Sequence, residues 1–572
     1  MMKDGKMGLF SCVALIISAC VGSAIFSISG MTVYMAGGSA ILSWVIAALI
    51  FCAYGMLLAE LAVRYPDSGG IYVFPKRAFS GAMGSFWGLV SAWGYIVSNI
   101  IAVGFSAIYV GEYLCAGFPG VRTMLDGVIP GLSADEIISL ISLVLSATVI
   151  LSGPKRSQFI QNILSMLLAA TLLLYCGFAF FGGGFEVSNF HGFFTSGAGK
   201  GTGFISAVPL AMVAYGGCVV VSFMASEVRN PSRNVPVSLF LGLGAVALIY
   251  AAVIASIAGT LPIEVLDGDV SLRFIPLFAS ISNGTLSSYG WMARLVSICG
   301  VLALLTTITA LLRVNARAVQ AISAEGYFPD FLATENRRGV LSVTIIILTV
   351  IAACLCLFPQ WTVQMITLGA VLNIASMTIT CLSFIMARRH RSHSGGFMAP
   401  AGGFLAVTLI VLFWVCYVPD VLNGGNMMWL FTAVVYVIAL TVWLAGRKRS
   451  RRRLHGLVVH GKGRGHLHSM PTANLKPFRG QDLPGFGVWS VKVFYAGKYY
   501  RGLSNVGLRP SDDDSPIPSV ETLIFDFDED IYGKKITLEF EKFIRPTRKF
   551  SNLDELRTQI ELDIKGAGEM TC

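Results

Sequence analysis

Charge is scarce in this chain. Only 13% of its 572 residues are Asp, Glu, Lys or Arg, while 55% are hydrophobic. A soluble domain carries about 25% charged residues. So little charge beside so much apolar surface excludes a purely water-soluble globule and points to a protein whose main solvent is the lipid bilayer. No carboxylate falls at the centre of an apolar stretch, so the sequence offers no obvious proton carrier. The cysteines lack pattern. Eleven of the twelve lie in the first 446 residues without metal-ligand spacing, Cys354 and Cys356 being the closest pair. They read as small packing residues, not as a disulfide framework. A cleavable signal peptide is also missing. Lys3 and Lys6 precede an apolar run that continues to about Val33, too long for a signal h-region, so it reads as a retained first span.

What is present is repetition. Roughly the first 450 residues alternate apolar stretches with short polar breaks. The pattern predicts about twelve transmembrane helices, at 9–33, 39–62, 84–114, 134–152, 157–181, 202–226, 237–259, 288–322, 341–358, 363–387, 402–418 and 427–446. The net charge of +10 reads first as a topology signal. With the N-terminus inside, the segments on the cytoplasmic side hold about twenty Lys and Arg, against about four on the other. That bias predicts a multi-pass protein of the plasma (inner) membrane with both termini cytoplasmic. The run RKRSRRR at 447–453 reads as a stop-transfer flank with affinity for anionic lipid, and no nucleic-acid partner is expected.

The composition changes there. The expected organisation is a membrane domain over 1–446, a basic cytoplasmic linker over 447–454 and a soluble domain over 455–572. The last alternates like strands. Ile536, Leu538 and Phe540 interleave with Thr537, Glu539 and Glu541, and Val491 and Val493 with Ser490 and Lys492. Ser551 with Asp554 three residues on predicts a capped terminal helix carrying Leu553, Leu556, Ile560 and Ile564 on one face. Several strands and one helix predict a small β-barrel.

Two glycine clusters mark the membrane part. Span 1 holds Gly22, Ser23, Ala24, Ile25 and Phe26, and span 6 holds Ala214, Tyr215, Gly216 and Gly217. These are equivalent positions of two five-span repeats. Paired interruptions there point to broken helices that expose backbone donors and acceptors to a solute, with half-helix N-termini suited to an anionic group. GSAIF (22–26), AELAVRYPDSGGIYVFPKRAF (59–79), ASEVRNPSRNVP (225–236) and RAVQAISAEGYFPDFLATENRRG (317–339) follow in order along the chain. Together they resemble the amino acid–polyamine–organocation transporters. That resemblance implies an all-α fold of an inverted 5+5 repeat plus two helices, and alternating access around a solute site between spans 1, 3, 6 and 8. It assigns solute contacts to Gly22, Ser23, Ala24, Tyr215, Gly216 and Gly217.

Three departures bear on the solute. Ala24 replaces a second glycine, Cys218 a common tryptophan, and Leu168 stands where amino-acid-specific members often carry lysine. Glu60 and Glu227, at the ends of spans 2 and 6, are expected to orient loops instead of relaying protons, and Glu112 to be interfacial.

In the tail, VVHGKGRGHLHSMPTANL (458–475) sets three glycines among basic residues ahead of Pro-Thr-Ala-Asn. Gly-rich backbone approaches phosphate closely, and Thr and Asn oxygens suit Mg²⁺. The two histidines of GHLHSM, His466 and His468, read as loop residues, not metal ligands. With PGFGVWSV (484–491), SNVGLRPS (504–511), SVETLIFDFDEDIYGKKI (519–536) and FIRPTRKFSNLDEL (543–556), the tail resembles the riboflavin kinase family. The resemblance implies a Greek-key barrel that transfers the γ-phosphoryl of ATP to riboflavin. It assigns Thr472 and Asn474 to Mg²⁺–ATP, Gly463, Arg464 and Gly465 to the phosphate loop, and Glu521 to the general base. His468, Ser469 and Met470 depart from the family pattern before Pro471. The product expected is FMN, with no adenylyltransferase to carry it to FAD. Three readings remain open: a transporter of an amino acid or amine with an active kinase, a riboflavin importer that traps its solute by phosphorylation, and a transporter regulated by an inactive flavin-binding tail. The pattern specifies no oligomeric state.

Overall fold

The computed structural model describes residues 7–65, 70–79, 81–220, 228–287, 290–389, 396–423, 425–450, 452–459, 472–477, 483–509, 517–548, 555, 558–560 and 562–564. They fall into two compact units, one of residues 1–318 and 342–439, the other of 319–341 and 440–572.

The first unit is helical. Over the described residues of the chain, ten helices are long and apolar enough to cross a membrane, since about 18 residues at 1.5 Å per residue approach the hydrocarbon thickness. Two shorter apolar helices, Ser342–Cys356 and Gly402–Cys416, lie at the expected ninth and eleventh spans. The segment after span 2 is not simply a loop. Gly70–Phe79 is a helix whose Ile71, Tyr72, Val73, Phe74 and Ala78 are buried. It packs on helix Gly81–Gly117 because Gly84 and Gly88 lack side chains: a Cβ there would stand 2.4 Å from the Lys76 carbonyl and 2.8 Å from that of Tyr72.

Glu60 is 1% exposed and fully engaged. It accepts from Arg388 Nε at 3.0 Å and Nη2 at 2.6 Å, from the Ala399 N–H at 2.8 Å and from Arg64 Nη2 at 3.2 Å. A buried carboxylate is tolerated when paired and hydrogen-bonded in this way. It anchors the segment near Ala399 to span 2. The other of the two acids, Glu227, lies outside the described residues. The eleven cysteines described are free thiols, most of them buried.

The second unit holds a closed six-stranded antiparallel barrel: β1 (Arg453–Val459), β2 (Thr472–Pro477), β3 (Gly487–Tyr495), β4 (Lys498–Arg509), β5 (Ile517–Ile524) and β6 (Lys535–Arg545), in the order β1-β2-β5-β4-β3-β6. Of the residues expected as a basic linker, 447–450 are the last turn of helix Gly425–Ser450 and 453–454 the start of β1. Closure leaves no free sheet edge. The core is the inward half of each alternation: Leu454, Val458, Val491, Val493, Val506, Val520, Ile536, Leu538 and Phe540. In β3 Trp489, Val491 and Val493 keep to the core side, and Val488, on the other face by the same alternation, joins Leu503, Phe525, Ile544 and Ile564. The pairing of β3 with β6 shifts register between Val488 and Trp489 and between Ser490 and Val491. The last described residues, 558–560 and 562–564, are helical, and Asp563, 4% exposed, pairs with Arg545 at 2.8 Å. The predicted cap at Ser551 lies outside the described residues. β3 and β4 are joined by Ala496 (φ 48°) and Gly497 (φ 76°), the two positive values that a two-residue type I′ hairpin turn demands.

Candidate functional sites

Span 1 is broken. Helix Leu9–Cys20 ends where Val21 turns extended (ψ 92°), Gly22 takes φ −149°, ψ −140°, and a new helix starts at Ser23. The N–H of Ser23 is no orphan, because it donates to Thr307 Oγ1 at 2.9 Å. Span 6 changes at its own glycines. Helix Gly203–Tyr215 passes into a 3₁₀ turn over Gly216–Val219. The two irregular segments meet. A Cβ on Gly217 would stand 2.2 Å from the Ala19 carbonyl oxygen, so only glycine permits this approach. Tyr250 Oη joins them, donating to the carbonyls of Cys20 at 2.5 Å and Ala214 at 3.3 Å. The Ser23 N–H and the carbonyls of Cys20 and Ala214, beside the breaks, are thus satisfied within the protein, as a low-dielectric setting requires.

The expected solute residues divide. Tyr215 is fully buried, donates its hydroxyl to the Trp44 carbonyl at 3.0 Å and packs among Trp44, Phe51 and Tyr250. It holds the wall in place. Ala24 is the one half-buried residue in the stretch Val21–Gly30, and a Cβ on Gly216 would meet nothing within 4 Å. These two positions border open space. Leu168 is 2% exposed. Sequence reasoning missed Thr307 and Tyr250. Nothing in their local pattern separates them from other polar residues of a span.

In the barrel, Ala473 and Leu475 face the core, so Thr472 and Asn474 point outward from β2. β2 pairs with β5 so that Asn474 lies opposite Glu521. β5 pairs with β4 so that Glu521 lies opposite Asn505. Paired residues share a face and sit about 5 Å apart. Asn474, Glu521 and Asn505 therefore form a row across three strands, with Thr472 two residues along β2. On the opposite face, the buried Thr522 hydroxyl donates to Ser504 Oγ at 3.1 Å and needs no other partner. Asn505 was not singled out from sequence, although SNVGLRPS contains it. Only the strand register brings it beside Glu521. Gly463, Arg464 and Gly465 lie outside the described residues, as do His468, Ser469 and Met470.

The donor set fits a hard cation. Thr472 and Asn474 offer neutral oxygens on one face and Glu521 an anionic one. Mg²⁺ takes few protein ligands when substrate phosphates and water supply the rest. No cluster of three His, Cys, Asp or Glu able to hold a metal by themselves occurs among the described residues.

Comparison with known proteins agrees with both halves. Residues 7–440 match the amino acid permease family and residues 449–571 the riboflavin kinase family. The chain is 27% identical to a branched-chain amino acid permease of Bacillus subtilis, over 57% of this chain and 69% of that one. It is 22% identical to an aromatic amino acid transport protein of Escherichia coli O157:H7, over 68% and 86%. The tail is 38% identical, over 112 residues, to the bifunctional riboflavin kinase/FMN adenylyltransferase of Bacillus subtilis, covering 19% of this chain and 35% of that one. The chain is a multi-pass membrane protein that belongs to the amino acid permease family, with a riboflavin kinase domain fused after its last apolar helix.

Proposed function

We propose that the membrane domain, residues 1–446, carries an amino acid or related amine across the plasma (inner) membrane, and that residues 455–572 convert riboflavin and ATP to FMN and ADP on the cytoplasmic side. The observation that carries the kinase reading is the row Asn474–Glu521–Asn505 with Thr472 beside it. Thr472 and Asn474 would hold Mg²⁺, which neutralises developing charge on the phosphates when bound. Gly463, Arg464 and Gly465 would cradle those phosphates. Glu521 accepts the proton of the ribityl hydroxyl as its oxygen attacks the γ-phosphorus. The bond from that phosphorus to the bridging oxygen breaks, and ADP leaves. Asn474 and Asn505, flanking the carboxylate, orient it towards the hydroxyl.

For transport, support comes from the paired breaks at Gly22 and Gly216 and from open space beside Ala24 and Gly216. The relatives named for branched-chain and aromatic amino acids favour an amino acid as the solute. Proteoliposomes holding the full chain and loaded with Mg²⁺–ATP separate the readings. Entry of labelled leucine or phenylalanine, with FMN made from riboflavin on the barrel side, supports two activities. Labelled FMN accumulating from external riboflavin supports import with trapping instead. Amino acid entry without any FMN leaves the tail a binding domain.

A further inference from the structure

The second unit contains more than the barrel. It includes residues 319–341, that is, the last turn of helix Gly290–Ala324 and the segment following it. The barrel grips this segment through a buried cation. Arg453, the first residue of β1, has a side chain only 1% exposed. Its Nη1 donates to the carbonyls of Ser323 at 2.5 Å and Ala324 at 2.6 Å at this helix end, where the Ser323 carbonyl also accepts from the Gly326 N–H at 2.9 Å. Its Nη2 reaches Asp330 Oδ1 at 2.8 Å, and its Nε reaches Glu539 Oε2 of β6 at 2.9 Å. Asp330 also pairs with Arg449 and accepts from Tyr499 Oη at 2.9 Å. Beside it, His455 of β1 meets Glu325 at 2.8 Å, and the Glu335 N–H donates to the Gly497 carbonyl in the β3–β4 turn at 3.1 Å. Buried charge with this many partners is costly to break, so the contact is specific.

The same strand reaches the candidate kinase site. β1 begins with Arg453 and ends with Val459, which pairs with Asn474 of β2. Seven residues at about 3.3 Å each put those ends about 20 Å apart on one paired strand. Midway along, the same helix carries Thr307, whose hydroxyl receives the Ser23 N–H at the break of span 1.

We propose that occupancy of the barrel site by flavin and nucleotide regulates helix Gly290–Ala324, with β1 as the link and Arg453–Asp330 as the clamp. This rests on the kinase reading of the same barrel. Ligand at Asn474 and Glu521 stiffens β2 and β1, holds Arg453 on the helix end and restrains residues 319–341. By linkage, the restrained segment strengthens ligand binding by the same factor.

The test is hydrogen exchange of the full chain in lipid nanodiscs, with and without riboflavin plus Mg²⁺–ADP. Exchange over 472–475 reports binding, and exchange over 319–341 reports the link. The expected result is protection of both, the second by about fivefold or more, the lower end of ordinary coupling. Asp330→Asn, and separately Asp330→Ala, should abolish the second response and keep the first. Protection of 472–475 with 319–341 unchanged in the wild-type chain overturns the link while leaving the kinase reading intact. No protection at either place overturns both. A response at 319–341 that persists in both Asp330 variants removes the clamp as its route.

Discussion

The two halves of this chain build their candidate sites by opposite means. In the membrane half the site is made from missing side chains. Gly217 lets backbone approach backbone, Gly22 leaves room for the Thr307 side chain, and peptide groups beside the two breaks are held by Thr307 and Tyr250. In the barrel the site lies on the regularly paired strands β2, β5 and β4 and is made from side chains that face outward on neighbouring strands. The difference follows from the solvent. In lipid every peptide group must be paired, so releasing one is a local event that needs help from neighbours such as Thr307 and Tyr250. In water an outward face costs nothing, and a strand exposes every second residue to chemistry.

The comparison can be broken at several places. The largest expected effect is on catalysis: Glu521→Gln should lower FMN formation by the full chain by about 10²–10⁴-fold, the usual share of a general base. Barrel melting should stay unchanged, since the side chain faces outward. FMN formation at the wild-type rate would remove Glu521 from the mechanism.

Next come the glycines. Gly217→Ala should destabilise the membrane domain by about 1–3 kcal/mol, because its methyl would meet the backbone of Ala19. Gly216→Ala points into open space and should leave thermal unfolding in detergent unchanged. Equal melting of the two variants would contradict the close approach of spans 1 and 6.

Tyr250→Phe keeps the ring packing and removes one hydroxyl shared by two carbonyls. It should cost about 1–3 kcal/mol, the penalty of leaving buried acceptors unpaired, and be read by the same unfolding assay.

The smallest effect is one of pH. Burial pushes the Asp330 carboxyl up, but hydrogen bonding and charge from Arg453, with Tyr499 and Arg449, outweigh it and hold it below the ordinary value. A carboxylate depressed in the folded state adds stability above its unfolded value of about 3.9, lost as pH falls through the lower folded value. Protection of 319–341 attributable to Asp330 should therefore be flat from pH 5 to 8 and fall only below about pH 4, where Asp330→Asn should show no such fall.

Much of this was legible in residues alone, and the reasons differ by element. The alternation of Ile536, Leu538 and Phe540 with Thr537, Glu539 and Glu541 fixed which face of β6 is core, because burial on one face imposes period two. The same period set Val491 and Val493 against Ser490 and Lys492 in β3, and the first pair is core; what it could not show is the register shifts of β3 against β6, since a bulge depends on the partner strand. Gly70–Phe79 falls between the expected spans 39–62 and 84–114, where no helix was expected, yet tertiary packing on Gly84 and Gly88 sustains one despite Pro75. Glu60 at the end of span 2 was readable as a structural acid. Its partner Arg388, 328 residues away, was not.

Residue order alone marked which stretches are apolar enough for lipid, where the composition changes at the tail, and which glycines interrupt spans 1 and 6. All of these are local, because length, periodicity and backbone freedom are written within a few residues of one another. Only the tertiary structure decided that Tyr250 ties Cys20 to Ala214, that Thr307 caps the new helix at Ser23, that Asn505 stands beside Glu521, and that Arg453 closes on Ser323, Ala324 and Asp330. Each of those pairings joins residues far apart in the chain. A polar side chain announces by its chemistry that it needs a partner when buried, but packing alone selects which one it finds.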